Sequence, residues 1–310
     1  MINILFSAKP AAWHEYCTPL RDACAQTGMA VNLSTDHAPD SVDYIVFTPN
    51  GPVTDFTPYT RTKGVLSLWA GVETVVDNAT LTQPLVRMVD DSLTAGMVEW
   101  VVGHTMRHHL GMDTHILHQN GAWNDTVYPP LAHQRPVTIL GLGALGTACG
   151  QALTALGFPV TGWSRGAKDI AGIQCLHGDD GLQKALTDAQ IVILLLPDTP
   201  ATHNTLNIKT LDLPARGAFV INPGRGPLID DAALLTALDS GQIAHATLDV
   251  FRVEPLPVAH PYWAHPKVTV TPHIASTTRP ATASRIIAAN IKRHVDGGAF
   301  ENLVDRSAGY

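Results

Sequence analysis

The sequence predicts an α/β protein built from two doubly wound domains, each with a parallel sheet, and with a deep cleft between them. Three observations support this fold class. Segments of strand and helix pattern alternate along the whole chain, which is typical of parallel sheets joined by helices. An apolar strand runs directly into a glycine-rich turn at residues 136–146. The length of 310 residues is sufficient for two domains of ordinary size, each with its own core.

The first part of the chain contains one small α/β unit. It begins with an apolar segment that we interpret as a strand rather than a signal peptide, because no basic leader precedes it. A helical pattern over residues 11–27 follows. The predicted strands are residues 2–6, 44–47, 65–69 and 85–89. A long helix is then predicted over residues 92–118, where the chain passes to a second unit.

The second unit contains the glycine-rich turn and the remaining strands. After the turn, strands are predicted at residues 158–163, 191–196, 218–222, 245–250 and 268–271. A last helix near residues 280–296 carries apolar residues at helical spacing, so we expect it to return to the first unit. These expectations define a discontinuous substrate domain, residues 1–95 with 277–310, and a dinucleotide-binding domain, residues 96–276.

The glycine-rich turn has the spacing G-x-G-x-x-G, formed by Gly141, Gly143 and Gly146. An apolar strand precedes it, and an Ala- and Leu-rich helical segment begins at Ala144 and Leu145. Glycines at these positions allow a sharp turn, close approach of the backbone to a pyrophosphate, and tight packing of the helix on the sheet. The amide groups at the helix N-terminus then face the anion. The sequence therefore predicts a dinucleotide site.

The end of the next strand indicates which dinucleotide is bound. An NAD-preferring site places an Asp or Glu about 20 residues after the glycines, where its carboxylate bonds the ribose 2′-hydroxyl. Here the strand ends in Trp163, Ser164 and Arg165, and no carboxylate occurs before Asp169. A hydroxyl and a guanidinium bind a 2′-phosphate, whereas a carboxylate repels it. We therefore expect NADPH as the preferred cofactor; the alternative is that Arg165 is a solvated loop residue and NADH is used.

The composition argues against two classes of partner. The chain carries a net charge of −7 and no basic cluster, which argues against binding of nucleic acid. No apolar run approaches the roughly 20 residues that span a bilayer, so we expect no membrane partner. The 4 cysteines are scattered without a C-x-x-C pair. They are typical of reduced thiols, and we expect a cytoplasmic protein.

Histidines are concentrated in the predicted long helix. His104 and His108 lie four residues apart on one helix face, a spacing that can bind a metal. There is neither an H-E-x-x-H motif nor an acidic partner at useful spacing. We therefore predict no metal site, and a helix face that is solvated or turned toward a second subunit.

Three charged residues follow successive strands of the second unit: Arg225, Glu254 and His273. The carboxyl ends of parallel strands meet at one edge of a sheet, so these side chains should converge. Taken singly, each residue has an ordinary structural explanation: Arg225 as a partner in a surface salt bridge, Glu254 as an exposed acid, and His273 as a helix cap. As a set behind a dinucleotide loop, they suit a 2-oxo acid. The guanidinium holds the carboxylate, and the imidazole, kept protonated by the neighbouring acid, donates a proton to the carbonyl oxygen.

The motifs around these residues resemble those of the D-2-hydroxyacid dehydrogenase family over nearly the whole chain, and within it those of the glyoxylate/hydroxypyruvate reductases. The shared segments are LWAGVE at 68–73, PLVRM at 84–88, WSR at 163–165, DVF and EPLP within 249–257, TPHIA at 271–275, and VDR and GY within 304–310. The resemblance implies two Rossmann-like domains, flavodoxin-like plus dinucleotide-binding. It also implies that Arg225 binds the substrate carboxylate, that Glu254 supports His273, and that His273 is the catalytic acid and base.

Further contacts are implied by the same resemblance. Substrate contacts are implied for Arg225, for His273 and for the backbone amides of Ala70, Gly71 and Val72, which suit a carboxylate, and Trp69 is implied to shape the pocket around these amides. The alternative to a pocket role for Trp69 is a purely structural position in the core. Beyond the glycine loop and residues 163–165, cofactor contacts are implied for Leu196, Pro197, Asn222, Pro223, Gly224, Asp249 and His273. Many relatives have other small or apolar residues at positions 223 and 224. Trp123 is implied to reach a neighbouring subunit, and thus a homodimer is implied.

The implied function is NADPH-dependent reduction of small 2-oxo acids, of glyoxylate to glycolate and of hydroxypyruvate to D-glycerate. A related dehydrogenase for a larger or phosphorylated acid is the first alternative. Because no regulatory domain follows at residue 310, the longer phosphoglycerate enzymes are disfavoured. The second alternative is a dinucleotide-sensing binding protein that acts as a corepressor. The complete Arg–Glu–His set and the lack of a recognisable peptide-docking surface count against it.

Overall fold

The computed structural model describes residues 1–117, 119–123, 125 and 128–306. The chain divides into two compact units, Met1–Leu93 with Thr277–Tyr310 and Thr94–Ser276, which are termed unit 1 and unit 2. Each unit contains a sheet whose paired strands are parallel. The predicted α/β fold with two parallel sheets is therefore confirmed.

Unit 1 is organised around a sheet of five strands among the described residues, in the order β2-β1-β3-β4-β5. This order is the flavodoxin-like one. The central strands β3 and β4 are buried along their whole length, as expected of parallel strands that are covered on both faces. The strands are β1 (Ile2–Ser7), β2 (Val31–Ser34), β3 (Tyr44–Phe47), β4 (Gly64–Ser67) and β5 (Leu85–Val86).

Two helices pack on the sheet of unit 1, α1 (Pro10–Gln26) and α7 (Pro280–Val295). Leu20 of α1 and Ile287 and Ile291 of α7 belong to one buried cluster. Apolar residues three or four positions apart lie on one face of a helix, which explains why these side chains share a core. The last helix of the chain thus returns to unit 1, as its periodicity predicts.

Unit 2 contains a sheet of seven strands among the described residues, in the order β12-β11-β10-β9-β6-β7-β8. The order reverses at β6, with β7 and β8 on one side and β9 to β12 on the other. Ligands of open parallel sheets bind at the carboxyl ends of the strands beside such a reversal. The strands are β6 (Val137–Leu140), β7 (Val160–Ser164), β8 (Ile173–His177), β9 (Ile191–Leu194), β10 (Ala218–Asn222), β11 (Ile243–Leu248) and β12 (Val268–Val270).

The helices of the middle of the chain precede these strands or connect some of them. They are α2 (Asp91–His109), α3 (Met112–Leu117), α4 (Ala144–Ala155), α5 (Gly178–Leu186) and α6 (Asp231–Ser240). The boundary between the units falls after Leu93, in the first turn of α2. Among the described residues, no helix combines the length and the apolar character that crossing a bilayer requires.

The helix predicted over residues 92–118 is wrong as a single element. It forms two helices, α2 and α3, with Gly111 between them at φ +62°. This left-handed conformation ends a helix, and glycine adopts it without the steric cost of a Cβ. His118 lies outside the described residues.

Some predicted strands are longer than the observed ones. The strands predicted to end at residues 69, 89 and 196 end at Ser67, Val86 and Leu194. Leu68 and Leu195 each donate one more backbone hydrogen bond to the neighbouring strand, and the chain then passes into loops. The sequence pattern does not predict β2 or β8, which are partly exposed strands at the edges of their sheets.

Candidate active site

The glycine-rich turn joins β6 to α4, and packing requires two of its glycines. Gly141 has φ +107°, and a Cβ there would lie 2.5 Å from the carbonyl oxygen of Leu195. A Cβ at Gly146 would lie 1.8 Å from the carbonyl oxygen of Gly141. Distances this short exclude a side chain, so these glycines shape the turn and let α4 approach the sheet.

Gly143 differs from the other two glycines. It is exposed, it directly precedes α4, and a Cβ there would meet no atom within 4 Å. The packing of the chain therefore does not require glycine at this position, whereas close approach of a pyrophosphate does. Ala144 is also exposed and no side chain caps α4, so the first amides of the helix are suited to an anion. Leu145 packs against the buried cluster below. The turn fits a dinucleotide.

The end of β7 lies beside the glycine-rich turn, because β7 pairs with β6. The indole Nε1 of Trp163 donates a hydrogen bond to the carbonyl oxygen of Gly178 at 2.8 Å. The hydroxyl of Ser164 is buried and donates to the carbonyl oxygen of Gly166 at 2.8 Å. Arg165 follows at once and is exposed. Of the three predicted residues, it is the one whose charged group is both exposed and suited to a 2′-phosphate.

The segment after β9 borders the turn on its other side. The amide of Leu195 donates to the carbonyl oxygen of Leu140 at 2.7 Å, which extends the pairing with β6. The side chain of Leu196 is buried in the apolar cluster of unit 2, and the carbonyl oxygen of Pro197 accepts from Thr202 Oγ1 at 2.7 Å. The backbone at Leu196 and Pro197 is thus fixed next to the proposed cofactor cradle.

The segment after β10 presents Arg225 and is held by Asn222. The buried side-chain amide of Asn222 donates from Nδ2 to the Arg225 carbonyl oxygen at 2.9 Å. Its Oδ1 accepts from the Gly224 amide at 3.1 Å. A Cβ at Gly224 would lie 2.8 Å from the carbonyl oxygen of Leu194, so glycine is needed there. Gly224 therefore fits the packing against β9, Pro223 is buried, and Arg225 Nη1 donates to the Gly224 carbonyl oxygen at 2.7 Å.

The acid–base pair is formed by Glu254 and His273. Oε2 of Glu254 lies 2.7 Å from Nδ1 of His273, although the residues are 19 positions apart. The amide of Phe251 donates to the other carboxylate oxygen, Oε1, at 2.9 Å, which fixes the carboxylate. Because Nδ1 is bound to the carboxylate, Nε2 is the ring nitrogen that can serve a substrate.

The local charges set the protonation of this pair. The hydrogen bond with Glu254 raises the pKa of His273, and the negative charge of the same carboxylate adds to it, against the opposing effects of burial and of Arg225. For Glu254, burial raises the pKa, but the hydrogen bonds from His273 and the Phe251 amide and the positive charges of His273 and Arg225 outweigh it and lower the pKa. The pair is therefore suited to hold a proton on the imidazole near neutral pH. Arg225 is close enough to influence both groups.

The loop that carries His273 is held by Asp249, at the end of β11. Asp249 is fully buried, and its carboxylate accepts hydrogen bonds from Thr271 Oγ1 at 2.6 Å, the Ile274 amide at 2.9 Å and the Ala275 amide at 2.8 Å. Its carbonyl oxygen accepts from the amide of His273, which has φ +54°. No sequence motif predicts that Asp249 holds this loop. A cofactor contact of Asp249 stays a prediction.

The predicted substrate turn of unit 1 directly follows β4. Trp69 is 41% exposed and is not a core residue of unit 1, whereas Val72 is buried. The Trp69 amide donates to Ser67 Oγ at 3.0 Å, and its carbonyl oxygen accepts from Met88 at 3.0 Å, which fixes the start of the turn. Among the described residues, none accepts a hydrogen bond from the amides of Ala70, Gly71 and Val72. Their contact with a substrate carboxylate stays a prediction.

The prediction of a solvated or subunit-facing histidine face on α2 is wrong for His108. This side chain is 4% exposed, stacks on Phe219 at 4.7 Å between ring centroids, and lies 2.9 Å through Nε2 from Thr247 Oγ1. The helix thus turns it onto β10 and β11. Within the described residues, no group of three or more His, Cys, Asp or Glu side chains is arranged to hold a metal.

The predicted contact with a second subunit depends on Trp123. Trp123 is 93% exposed, so nothing in the described part of its own chain covers it. Gly309 and Tyr310, part of the C-terminal resemblance, lie outside the described residues.

Comparisons with known proteins agree with this geometry. Residues 101–275 match the family model described as D-isomer specific 2-hydroxyacid dehydrogenase, NAD binding domain. The chain is 41% identical over 261 residues to glyoxylate/hydroxypyruvate reductase A of Serratia proteamaculans, covering 81% of this chain and 82% of the relative. The corresponding protein of Yersinia enterocolitica is 38% identical over 255 residues, covering 80% and 82%.

Solved structures extend the likeness to the whole chain. A D-isomer specific 2-hydroxyacid dehydrogenase from Xanthobacter autotrophicus in complex with NADPH and MES is 37% identical, with a TM-score of 0.93 and 99% of each chain covered. An NADPH-dependent glyoxylate/hydroxypyruvate reductase from Sinorhizobium meliloti in complex with NADP and sulfate is 31% identical, with a TM-score of 0.87 and 100% of each chain covered.

Proposed function

This chain belongs to the D-isomer-specific 2-hydroxyacid dehydrogenase family, and we propose that within it the protein is an NADPH-dependent reductase of glyoxylate and hydroxypyruvate. Its membership makes it an NAD(P)-dependent oxidoreductase. The observation that carries the proposal is the Glu254–His273 pair, 2.7 Å apart, with the charge of Arg225 acting on both groups. The names of the relatives support the choice of substrates.

His273 is proposed as the proton donor. NADPH, when bound, supplies a hydride to the carbonyl carbon of the substrate. Nε2 of His273 gives its proton to the carbonyl oxygen, so the product is a 2-hydroxy acid and the imidazole is left neutral. Glu254 favours the charged imidazole before the reaction and keeps the ring oriented through Nδ1. In the oxidative direction the neutral imidazole takes the proton back.

Arg225 is proposed to hold the substrate carboxylate. A planar guanidinium forms two parallel hydrogen bonds with a carboxylate, which orients the adjacent carbonyl group. The residue lies after β10, and Glu254 and His273 lie after β11 and β12, so the three follow adjacent strands of one sheet. A small 2-oxo acid presents its carboxylate and carbonyl within one bond of each other, as this arrangement requires.

The cradle for NADPH is proposed to consist of the glycine-rich turn with Arg165 at the 2′-phosphate. Gly143 and Ala144 leave room at the exposed N-terminus of α4 for the pyrophosphate. The guanidinium of Arg165 follows the adjacent strand β7, at the position where an NAD-specific site has an acid. NADH is expected to bind more weakly, because it lacks the phosphate that this charge would pair with.

The test is to follow the absorbance of NADPH and, separately, of NADH with glyoxylate, hydroxypyruvate and pyruvate. Fast oxidation of NADPH with the first two acids, and slower oxidation of NADH, is the expected result. Turnover with larger 2-oxo acids only would redirect the proposal to another substrate of the family. Tight dinucleotide binding without turnover of any 2-oxo acid would contradict it.

We also propose that the protein is a cytoplasmic homodimer. The 4 cysteines are free thiols, as expected in a reducing compartment. Apolar side chains lie exposed along one stretch of the chain, which suits contact with a second copy: Ile116, Leu117, Trp123, Tyr128 and Leu131. Light scattering after gel filtration should give twice the mass of the chain, and Trp123→Ser should shift the protein toward monomer. A monomeric mass at micromolar concentration would contradict the dimer.

A further inference from the structure

The segment that carries Arg225 lies directly against the segment that carries Glu254. A Cβ at Gly226 would lie 2.0 Å from the carbonyl carbon of Phe251 and 2.3 Å from the amide nitrogen of Arg252. Only glycine permits so close an approach of two backbones. The turn at residues 226–228, which follows Arg225, and the loop at residues 249–254 are thus in van der Waals contact.

The side chain of Arg252 binds across this contact. Its Nη2 donates hydrogen bonds to the carbonyl oxygen of Ile229 and to Oδ1 of Asn204. The carbonyl oxygen of Pro227 lies 3.4 Å from the same nitrogen. One guanidinium therefore ties the loop of residues 249–254 to Pro227, within the turn that follows Arg225, and to Ile229, directly after it.

The side chains that contact Arg252 are themselves held in place by further hydrogen bonds. Nε of Arg252 lies 3.6 Å from Oδ2 of Asp231, the first residue of α6. The other oxygen, Oδ1, accepts a hydrogen bond at 2.9 Å from the hydroxyl of Tyr262, whose side chain is 2% exposed. The amide of Asn204 also donates to Pro227 at 2.8 Å. The acceptors that Arg252 binds are therefore part of a fixed framework.

We propose that Arg252 is a positioning residue that sets the separation between the carboxylate-binding Arg225 and the proton-donating Glu254–His273 pair. The proposal rests on the proposed function. Arg252 stands two positions before Glu254, and its backbone acceptors, Pro227 and Ile229, stand two and four positions after Arg225. The carboxylate and the carbonyl oxygen of a 2-oxo acid lie at a fixed distance in the substrate, so the two protein groups that receive them must also keep a fixed distance.

Loss of the Arg252 contacts should weaken the orientation of the substrate without removing any group that touches the substrate. A misplacement of about 1 Å costs on the order of 100-fold in rate when reacting groups must be aligned. We therefore expect Arg252→Ala to lower kcat/KM for glyoxylate by about 10- to 100-fold, through both a higher KM and a lower kcat. Arg252→Lys should recover only part, because an ammonium group cannot reproduce the planar fork of donors.

The matched control is Arg216→Ala. Arg216 is also exposed in unit 2 and donates to a single backbone oxygen, that of Ser240, at 2.7 Å. For each variant we would measure kcat and KM with glyoxylate, the Kd of NADPH and the melting temperature. The proposal expects kinetic losses in Arg252→Ala with an unchanged Kd for NADPH, and none in Arg216→Ala. Equal kinetics for the two variants would overturn it.

A double-mutant cycle with Arg225→Lys separates positioning from general stability. If Arg252 acts through Arg225, its removal should cost much less in the Arg225→Lys background than in the unaltered protein. Additive losses would overturn the proposal, as would losses that follow the melting temperature alone. If the unaltered protein reduces no 2-oxo acid, the proposed function fails. If it reduces glyoxylate but the losses are additive, only the proposed role of Arg252 fails. If Arg252→Ala does not fold, Arg252→Lys supplies the same cycle.

Discussion

The role of Glu254 can be tested through the protonation state of His273. The hydrogen bond between them raises the pKa of His273, and reduction requires the protonated imidazole. The rate of reduction should therefore fall as the pH rises through this pKa. Glu254→Gln removes the negative charge, so the decline in kcat/KM should begin at a lower pH than in the unaltered protein.

The measurement is kcat/KM for glyoxylate from pH 5 to 9, with His273→Ala as the reference for full loss. That variant should lose about 10²- to 10⁴-fold in turnover with little change in NADPH affinity, because only the proton donor is removed. If the decline of Glu254→Gln begins at the same pH as in the unaltered protein, Glu254 does not control the protonation of His273.

Arg165 is the residue on which the preference between cofactors depends. Arg165→Asp places a carboxylate where the 2′-phosphate is proposed to bind. A hydrogen bond to a charged group contributes about 1.5–3 kcal/mol, so the Kd of NADPH should rise at least about 10- to 100-fold. The Kd of NADH should change little or fall. Fluorescence titration with both cofactors measures the ratio, and Lys168→Asp, three positions further along the same exposed loop, is the control. An unchanged ratio in Arg165→Asp would mean that the phosphate is bound elsewhere.

At the scale of an element, the turn between β6 and α4 separates the glycines needed for folding from the glycine needed for binding. Gly143→Ala meets no atom of the chain within 4 Å, so stability should be nearly unchanged. The added methyl group would stand in the way of the pyrophosphate, and we expect the Kd of NADPH to rise about tenfold or more, equal to about 1.4 kcal/mol. Calorimetry and titration of the same preparation test both statements.

Gly146→Ala and Gly103→Ala are the two controls for this prediction. A Cβ at Gly146 would lie 1.8 Å from a carbonyl oxygen, so the variant should lose about 3 kcal/mol of stability, at the upper end of the range for overpacking. Gly103, in α2, has open space around its Cβ position, and its variant should keep both stability and affinity. If Gly143→Ala binds NADPH as the unaltered protein does, the pyrophosphate does not approach this glycine.

The boundaries of the strands and helices differ in how well the sequence pattern predicts them. Tyr44–Phe47 and Ala218–Asn222 are predicted to the residue, because each is a short, mostly apolar run that is followed by a break in the pattern. Gly111 is harder to interpret, because a glycine inside an apolar pattern is tolerated in many helices, and only the observed φ of +62° identifies the end of α2.

In the candidate site, too, some features follow from the sequence pattern and others do not. Arg225, Glu254 and His273 are predictable because parallel strands end at one edge of a sheet, and their motifs lie just after strands. The bracing of the His273 loop by Asp249 joins residues 22 to 26 positions apart, and the contact of His108 with Thr247 spans 139 positions. No local pattern specifies such pairs, because the packing of the whole domain brings them together.

For the whole molecule, the burial of His108 makes stability depend on pH. Burial lowers the pKa of His108 to about 3, with further lowering by the nearby charges of His245 and Arg107 against the opposing effect of Asp113. An unfolded chain restores the ordinary value of about 6.5, so the unfolded state binds more protons below that pH. The contribution of His108 to the free energy of unfolding is therefore complete above pH 6.5 and is lost progressively as the pH falls toward 3.

His108→Gln should flatten this dependence. Between pH 7 and pH 5 the histidine removes about 2 kcal/mol from the free energy of unfolding, because each pH unit below the unfolded pKa costs about 1.36 kcal/mol. Glutamine can still bond Thr247 Oγ1 but takes up no proton, so urea unfolding of the variant should lose about 2 kcal/mol less over this range. His14→Gln, on the exposed face of α1, is the matched control and should keep the full dependence. An equal loss in His108→Gln and in the unaltered protein would mean that the acid sensitivity arises at other groups, of which His245, with its pKa lowered by burial to about 4, is the next to test.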